Sequence, residues 1–317
     1  MKVLLTGYSG FLGRHLAQFL KREGFAVKVL LHRHTVAKRD FDKEMEVCWG
    51  SIDDPEVIQQ AVKGVQMVVH SAYNRCTPLS PRPTINEIGA EILLKESVRV
   101  GVKMFAFISS VVVYGISAKG NSILEESSPL AKGNDLSYIY LSEKLNIEKM
   151  LQSLNKKQMK LGIFRPGPIF DDTRGPIVKI LKFANRSFGI GIGNGRNHMP
   201  YIHAKDVAKA IGKWLKNGQK DVIFNVTPTN CMRYRDWYRN WGKVQGHSIK
   251  PFFIRANWVH LAILGINILK KFLGKKSSGD SKFAIASSTR NIRYSNEALK
   301  KALEWTDKET SNYFDNV

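Results

Sequence analysis

Met1-Lys2-Val3-Leu4-Leu5-Thr6-Gly7-Tyr8-Ser9-Gly10-Phe11-Leu12-Gly13 opens the chain. Val3–Leu5 reads as a short strand that runs straight into a glycine turn, and a helical period follows. Leu12, Leu16, Phe19 and Leu20 share one face of a helix predicted over 11–21. Glycines at this spacing, between a strand and a helix, allow a tight turn, close approach of the backbone to a pyrophosphate, and close helix–strand packing. The amides at the start of the helix then meet the phosphate charge. Gly7, Gly10 and Gly13, with Phe11 and Leu12, are therefore the first candidate residues, and their expected ligand is a dinucleotide.

Working outward, short apolar runs alternate with amphipathic stretches, the pattern of successive βαβ units in a parallel sheet. Strands are predicted at 26–31, 46–49, 66–70, 105–109 and 161–164, and helices at 55–62, 85–100 and 140–152. Asp53-Asp54-Pro55 opens one helix with an acidic cap and a proline in the first turn. After Arg165 the pattern loosens, with a helix predicted at 204–216, a strand at 222–226 and a closing helix at 296–305. The expected fold is α/β: a Rossmann-type doubly wound parallel sheet with a smaller C-terminal substrate lobe. The dinucleotide-binding domain is placed at 1–165, with 200–226 crossing back to it. Residues 166–199 and 227–317 mostly form the lobe.

The chain has 317 residues, enough to bury a generous core without a disulfide or metal staple. Cys48, Cys76 and Cys231 lie far apart, in no metal-ligand spacing. Their odd number points to a reducing compartment. The apolar run at the start is too short for a signal peptide, so a cytoplasmic location is expected, and no metal. The formal charge of +22 implies attraction to something anionic. No zinc-finger spacing or RNA-binding aromatic signature is present, so no specific nucleic-acid partner is expected. A generally basic solvated surface explains the charge most simply, and peripheral contact with an anionic membrane comes second.

The end of the second predicted strand bears on the choice of dinucleotide. An acid there favours NAD, whereas an arginine accommodates the 2′-phosphate of NADP. Leu30-Leu31-His32-Arg33 offers no carboxylate, so Arg33 points to NADP, with NAD the alternative.

Ser109-Ser110 ends the strand predicted at 105–109, and Tyr140-Leu141-Ser142-Glu143-Lys144 opens the next helix. Tyr140 and Lys144 lie one turn apart on one face. A phenol is ordinarily protonated at neutral pH, and a nearby ammonium favours the phenolate. The pair thus suits proton transfer at working pH. Tyr138 competes on spacing but has Ser142, not lysine, four residues on.

These segments together resemble the extended short-chain dehydrogenase/reductase family, which includes nucleotide-sugar epimerases, dehydratases and 3β-hydroxysteroid dehydrogenases. The matching stretches are Gly7–Gly13, Val69-His70-Ser71-Ala72, Asn86-Glu87-Ile88-Gly89, Ser109-Ser110-Val111-Val112-Val113-Tyr114-Gly115, Tyr140 to Lys144 with Glu148, Arg165-Pro166-Gly167, and Ile202 to Ala208. They follow family order from residue 1 to about 210, a far more specific signal than any one of them. The resemblance implies Tyr140 as acid/base, Lys144 as its pKa modifier and a ribose ligand, and Ser110 rather than Ser109 as the substrate-orienting hydroxyl. It also implies Ala72, Asn86 and Pro166 near the cofactor, Ser51-Ile52 near the adenine, and a homodimer. Two positions depart from the pattern. Pro168 stands where members acting on nucleotide sugars often carry asparagine, and Ser51 where many carry aspartate.

The expected activity is NADP(H)-dependent hydride transfer to or from a carbinol or ketone carbon of a small-molecule substrate. The alternatives are a nucleotide-sugar epimerase or dehydratase that retains its cofactor, and a cofactor-sensing scaffold without turnover. His203 and Asp206 read as packing and helix initiation, and His70 as a structural histidine. Arg174, Arg186 and Arg196 read equally as diphosphate ligands or solvated loop residues. Trp258–Leu273 is apolar and followed by lysines, but is shorter than the ~20 residues of a spanning helix. It reads as an interfacial helix or as a cover over an apolar pocket.

Overall fold

A computed structural model describes residues 1–32, 45–75, 82–116, 122–156, 158–175, 188–218, 220–244, 246–259, 261–262, 264–265 and 289–313. Arg33, Cys76, Arg186 and the 266–273 part of the apolar stretch lie outside them.

The first half builds β1 (Lys2–Thr6), α1 (Phe11–Arg22), β2 (Ala26–Leu31), β3 (Glu46–Trp49), α2 (Pro55–Val62), β4 (Met67–His70), α3 (Ile85–Arg99) and β5 (Met104–Ile108). The two-residue β6 (Ile123–Leu124), α4 (Ile139–Ser153), β7 (Lys160–Pro166) and the two-residue β8 (Ile169–Phe170) follow. Next come β9 (Phe188–Ile192), β10 (Ile202–His203), α5 (Ala204–Asn217), β11 (Val222–Val226), α6 (Tyr234–Val244) and β12 (Lys250–Ile254). Short elements close the chain: β13 (Arg293–Tyr294), α7 (Glu297–Leu303) and α8 (Lys308–Ser311).

Seven strands form one sheet in the order β11-β7-β5-β4-β1-β2-β3, with every pairing parallel. The strand at 222–226 is the seventh, on the edge beside β7. Because side chains alternate along a strand, Val3 and Leu5 join a core under α1 and α5, while Leu4 joins one under α2, α3 and α4. Local chemistry sets the helix starts. Asp54 accepts from the amides of Glu56 (3.0 Å) and Val57 (3.3 Å) with Pro55 behind it, and Thr84 and Glu87 form a reciprocal capping box. From β1 the chain runs outward through β2 to β3, then crosses back to β4 on the other side of β1 and on to β5, so the connections that follow β1 and β4 diverge. That divergence opens a crevice at the carboxyl ends of β1 and β4, where ligands of such sheets bind.

Beyond the sheet, β9 pairs with β12, and α6 packs on that ribbon around Tyr234, Trp237 and Tyr238. These elements are hidden in the sequence. Phe188-Gly189-Ile190-Gly191-Ile192 looks like a flexible glycine run, and the aromatic-rich Tyr234–Val244 has weak helix propensity. Packing decides both.

Candidate active site

At the end of β1, each glycine of the turn has its own steric reason. Gly7 has φ +80°, and a Cβ there would lie 2.6 Å from the Ala72 amide nitrogen. A Cβ on Gly13 would come within 2.1 Å of the Gly7 carbonyl oxygen. Gly10 differs: an added Cβ meets only the Gly7 carbonyl, at 3.0 Å, and otherwise projects into open space ahead of α1. No side chain caps that helix start. The turn therefore fits a pyrophosphate, with open space at Gly10 and uncapped amides behind it. Leu12 is buried on the inner face of α1, and Phe11 packs edge-on against His15.

Neighbouring strands complete the crevice. Thr6 Oγ1 accepts from the Ala72 amide (3.2 Å) and bonds His70 Nδ1 (2.8 Å). Burial pulls His70 down to about 3, so it is neutral and structural, as its position at the end of a buried strand implied. Ile52 sits on α3 because Gly89 has no side chain: a Cβ there would lie 2.7 Å from Ile52 Cγ2. Pro166 ends β7 beside Val226.

Ser110, Tyr140 and Lys144 come together at the carboxyl end of β5. Ser110 begins a short 3-10 turn, Val111–Tyr114, and its Oγ accepts from the Val112 amide at 3.2 Å. Burial raises the Tyr140 phenol, while a hydrogen bond with Ser110 and the charge of Arg75 draw it back down. Ser109 Oγ is buried with no hydrogen-bond partner among the described residues, so the two serines are not equivalent. Lys144 is buried and donates to the Ile108 carbonyl at 2.7 Å. Its ammonium lies 4.8 Å from the Phe107 ring centre and 5.9 Å from that of Tyr140. Burial brings Lys144 down to about 8, against the opposing pull of Glu143 and Glu148. Tyr138 packs instead among Val111, Tyr114 and their neighbours.

Two further residues belong to this cluster. Glu143 is wholly buried; it accepts from the Tyr73 hydroxyl and from Asn86 Nδ2 (3.1 Å). Tyr73 meets Tyr140 edge-on, with ring centres 4.9 Å apart. Asn86 also bonds both backbone groups of Asn74, the amide at 2.8 Å and the carbonyl at 3.0 Å. It thereby fixes the loop after β4. A carboxylate inside the Tyr–Lys segment was a visible signal for Glu143; its partner Tyr73 carried none.

Other candidates resolve into structure. His203 caps α5 by accepting from the Lys205 amide at 3.2 Å. Asp206, raised to about 6 by burial, accepts from Thr310 N and Oγ1, both at 2.7 Å, and from the Glu309 amide at 3.2 Å. Arg174 and Arg196 stand exposed on turns of the lobe. Among the described residues no cluster of His, Cys, Asp and Glu has the makings of a metal site, and no helix is long and apolar enough to cross a membrane.

Comparison with known proteins identifies the family. Residues 3–227 match the NAD dependent epimerase/dehydratase family. The sterol-4-alpha-carboxylate 3-dehydrogenase (decarboxylating) of Dictyostelium discoideum is 24% identical over 321 residues, covering 96% of each chain. The ceramide reductase of Caulobacter vibrioides is 32% identical over 207 residues, which is 65% of this chain and 58% of that protein. Among solved structures, the Thermus thermophilus UDP-glucose 4-epimerase complex with NAD superposes with a TM-score of 0.71 at 19% identity. That alignment covers 97% of this chain and 94% of the epimerase. The chain therefore belongs to the NAD dependent epimerase/dehydratase family, as an NAD(P)-dependent enzyme of the extended short-chain dehydrogenase/reductase type.

Proposed function

We propose that this protein is an NADP(H)-dependent oxidoreductase acting on a carbinol or ketone carbon, with Tyr140 as acid/base. The observation that carries the reading is the convergence of a hydrogen-bonded Tyr140–Ser110 pair on the buried Lys144 ammonium. Gly7, Gly10, Phe11, Leu12 and Gly13 would hold the pyrophosphate, Ile52 and Arg33 the adenosine end, and Ala72, Asn86, Lys144 and Pro166 the remainder. When bound, the nicotinamide supplies or accepts the hydride. Tyr140 donates its phenolic proton to the substrate oxygen in reduction and removes it in oxidation. Ser110 holds that oxygen, and the Lys144 charge favours the phenolate. Residues 166–199 and 227–317 would form most of the substrate side of the cleft. The relatives named as acting on a sterol carboxylate and on ceramide favour a lipid-like alcohol or ketone. Pro168 speaks against a standard nucleotide-sugar epimerase. Stoichiometric NADPH consumption with a ketone tests the assignment, since an epimerase consumes none.

The cofactor assignment rests on Arg33. Arg33→Glu is expected to raise KM for NADPH by about tenfold or more while barely changing that for NADH, because a charge-assisted contact to the 2′-phosphate is lost. An unchanged NADPH/NADH preference in steady-state kinetics would overturn it.

Lys144 yields a prediction of opposite sign for stability and turnover. Its folded pKa, about 8, lies below the ordinary value of 10.5. Its stabilising contribution is therefore complete only above 10.5 and is lost as pH falls through 8. At neutral pH the buried ammonium is a burden. Lys144→Met should stabilise the fold by about 2 kcal/mol at pH 7, after allowing for the lost bond to Ile108, and abolish turnover. Denaturant unfolding should show the gain shrinking as pH rises towards 10.5. A loss of stability at neutral pH would contradict the argument.

A further inference from the structure

Six large apolar side chains stand exposed on the β9–β12 ribbon or just after it in the chain: Phe188, Ile190, Phe252, Trp258, Leu261 and Leu264. The ribbon explains three of them. Gly189 and Gly191 face inward, where a Cβ would lie 2.2 Å from Tyr238 Cε1 and 2.5 Å from Phe253 Cε1 respectively. Period-two alternation then turns Phe188 and Ile190 outward, and register places Phe252 beside Ile190. Phe252 and Trp258 are 64% and 66% exposed, too much for residues of a covered core. Single exposed apolar residues are ordinary, but Phe188, Ile190 and Phe252 are neighbours on one face of the ribbon, and such a cluster marks an interaction surface.

Around the edge of the same ribbon, a groove of about 820 Å³ lies between α6 and β12. Arg235, Arg239 and Lys243, four residues apart, line one helical face of it, and Lys250 and His247 close it. Among the described residues, the one carboxylate at ion-pair distance from Arg235, Arg239, Lys243 or Lys250 is Asp236, 3.5 Å from Arg239. Arg235 donates through Nη2 to the Asn194 carbonyl, while its buried Nε has no partner among the described residues. Lys250 pairs with Phe188 across the ribbon, so the basic groove and the apolar face are continuous.

We propose that this face docks the protein on the surface of an anionic bilayer, the apolar side chains entering the acyl boundary and the groove cations holding lipid phosphates. A second copy of the chain fits poorly, because a two-fold interface sets each cationic groove near its own image. A soluble phosphate fits poorly too, since it gives Phe252 and Trp258 nothing to bury against. Basic residues beside an exposed apolar face are what an interfacial site requires.

The test is co-sedimentation of the full chain, at low salt, with phosphatidylcholine vesicles with and without phosphatidylglycerol. Binding to the anionic vesicles alone is expected. Arg239→Ala with Lys243→Ala should weaken it by about 25-fold, at roughly fivefold per cation. Phe252→Glu should weaken it by about tenfold or more. All three positions are exposed, and unchanged thermal unfolding would show that the fold survives. Absence of vesicle binding, equal binding to neutral vesicles, or indifference to these substitutions would overturn the proposal. So would either of two outcomes without vesicle binding. One is a dimer dissociated by Phe252→Glu in sedimentation equilibrium, which would make the face a self-interface. The other is saturable binding of inorganic pyrophosphate, which would make the groove a soluble-anion site.

Discussion

Tyr140→Phe is expected to lower turnover by about a thousandfold while leaving dinucleotide affinity and thermal stability close to those of the parent protein. The substitution keeps the ring, and with it the edge-on contact to Tyr73 and the neighbouring Lys144 ammonium. It removes only the hydroxyl that bonds Ser110. In the proposed reaction that hydroxyl carries the one proton that must move to or from the substrate oxygen. General acid–base groups contribute roughly 10² to 10⁴ in rate. A burden placed on one group in a water-poor setting belongs in the upper part of that range. Ser110→Ala should cost less, since it removes orientation of the substrate oxygen and leaves the proton donor in place. Single-turnover hydride transfer, monitored at the nicotinamide absorbance, separates the chemical step from product release. Full turnover by Tyr140→Phe on an identified ketone would refute the assignment of Tyr140 as acid/base.

The contrast between what the sequence discloses here and what it conceals follows from the range of the interactions. The β1–α1 turn is legible because Gly7, Gly10 and Gly13 answer to constraints within a few residues of one another. Tyr140 and Lys144 are legible because one helical turn brings them together. The cap at Asp54 follows from a similarly local rule, whereas the placement of Ile202–Ala208 is implied by the family resemblance. Glu143 is different: its burial depends on Tyr73 and Asn86, both more than fifty residues away, and no periodicity announces that meeting. The β9–β12 ribbon fails for another reason. In β9 the inward residues are glycines and the outward ones Phe188 and Ile190, the reverse of the pattern that identifies a half-buried strand. That inversion also exposes Phe188 and Ile190.

The strongest effect on stability is expected from Glu148, which lies one turn beyond Lys144 on α4. Its carboxylate receives Arg165 through Nε at 3.1 Å and Nη2 at 2.7 Å, and the two side chains are 0% and 2% exposed. Arg165 also donates to the Tyr114 hydroxyl at 2.9 Å and the Glu126 carbonyl at 3.2 Å, and Tyr114 in turn donates to Asn225 at 2.7 Å. This network ties α4, which carries Tyr140, to β7, β11 and the turn after β5. Desolvating two ions is so costly that the pair adds little net stability, yet breaking it leaves an uncompensated guanidinium in the core. Glu148→Leu should therefore cost about 3–5 kcal/mol in denaturant unfolding. Adding Arg165→Met should recover much of that loss, because both charges then leave the interior together. If the double variant were instead as unstable as the sum of the two single ones, the pair would be contributing independent contacts rather than mutual neutralisation. Turnover distinguishes the two roles further. The recovered double variant still lacks the Glu148 charge that helps hold Lys144 protonated, so the pH at which Lys144 loses its proton should fall below about 8 even where the fold is restored. Stability and proton transfer would thus separate in one pair of residues, stability following the neutrality of the pair and catalysis following the sign of the charge left beside Lys144.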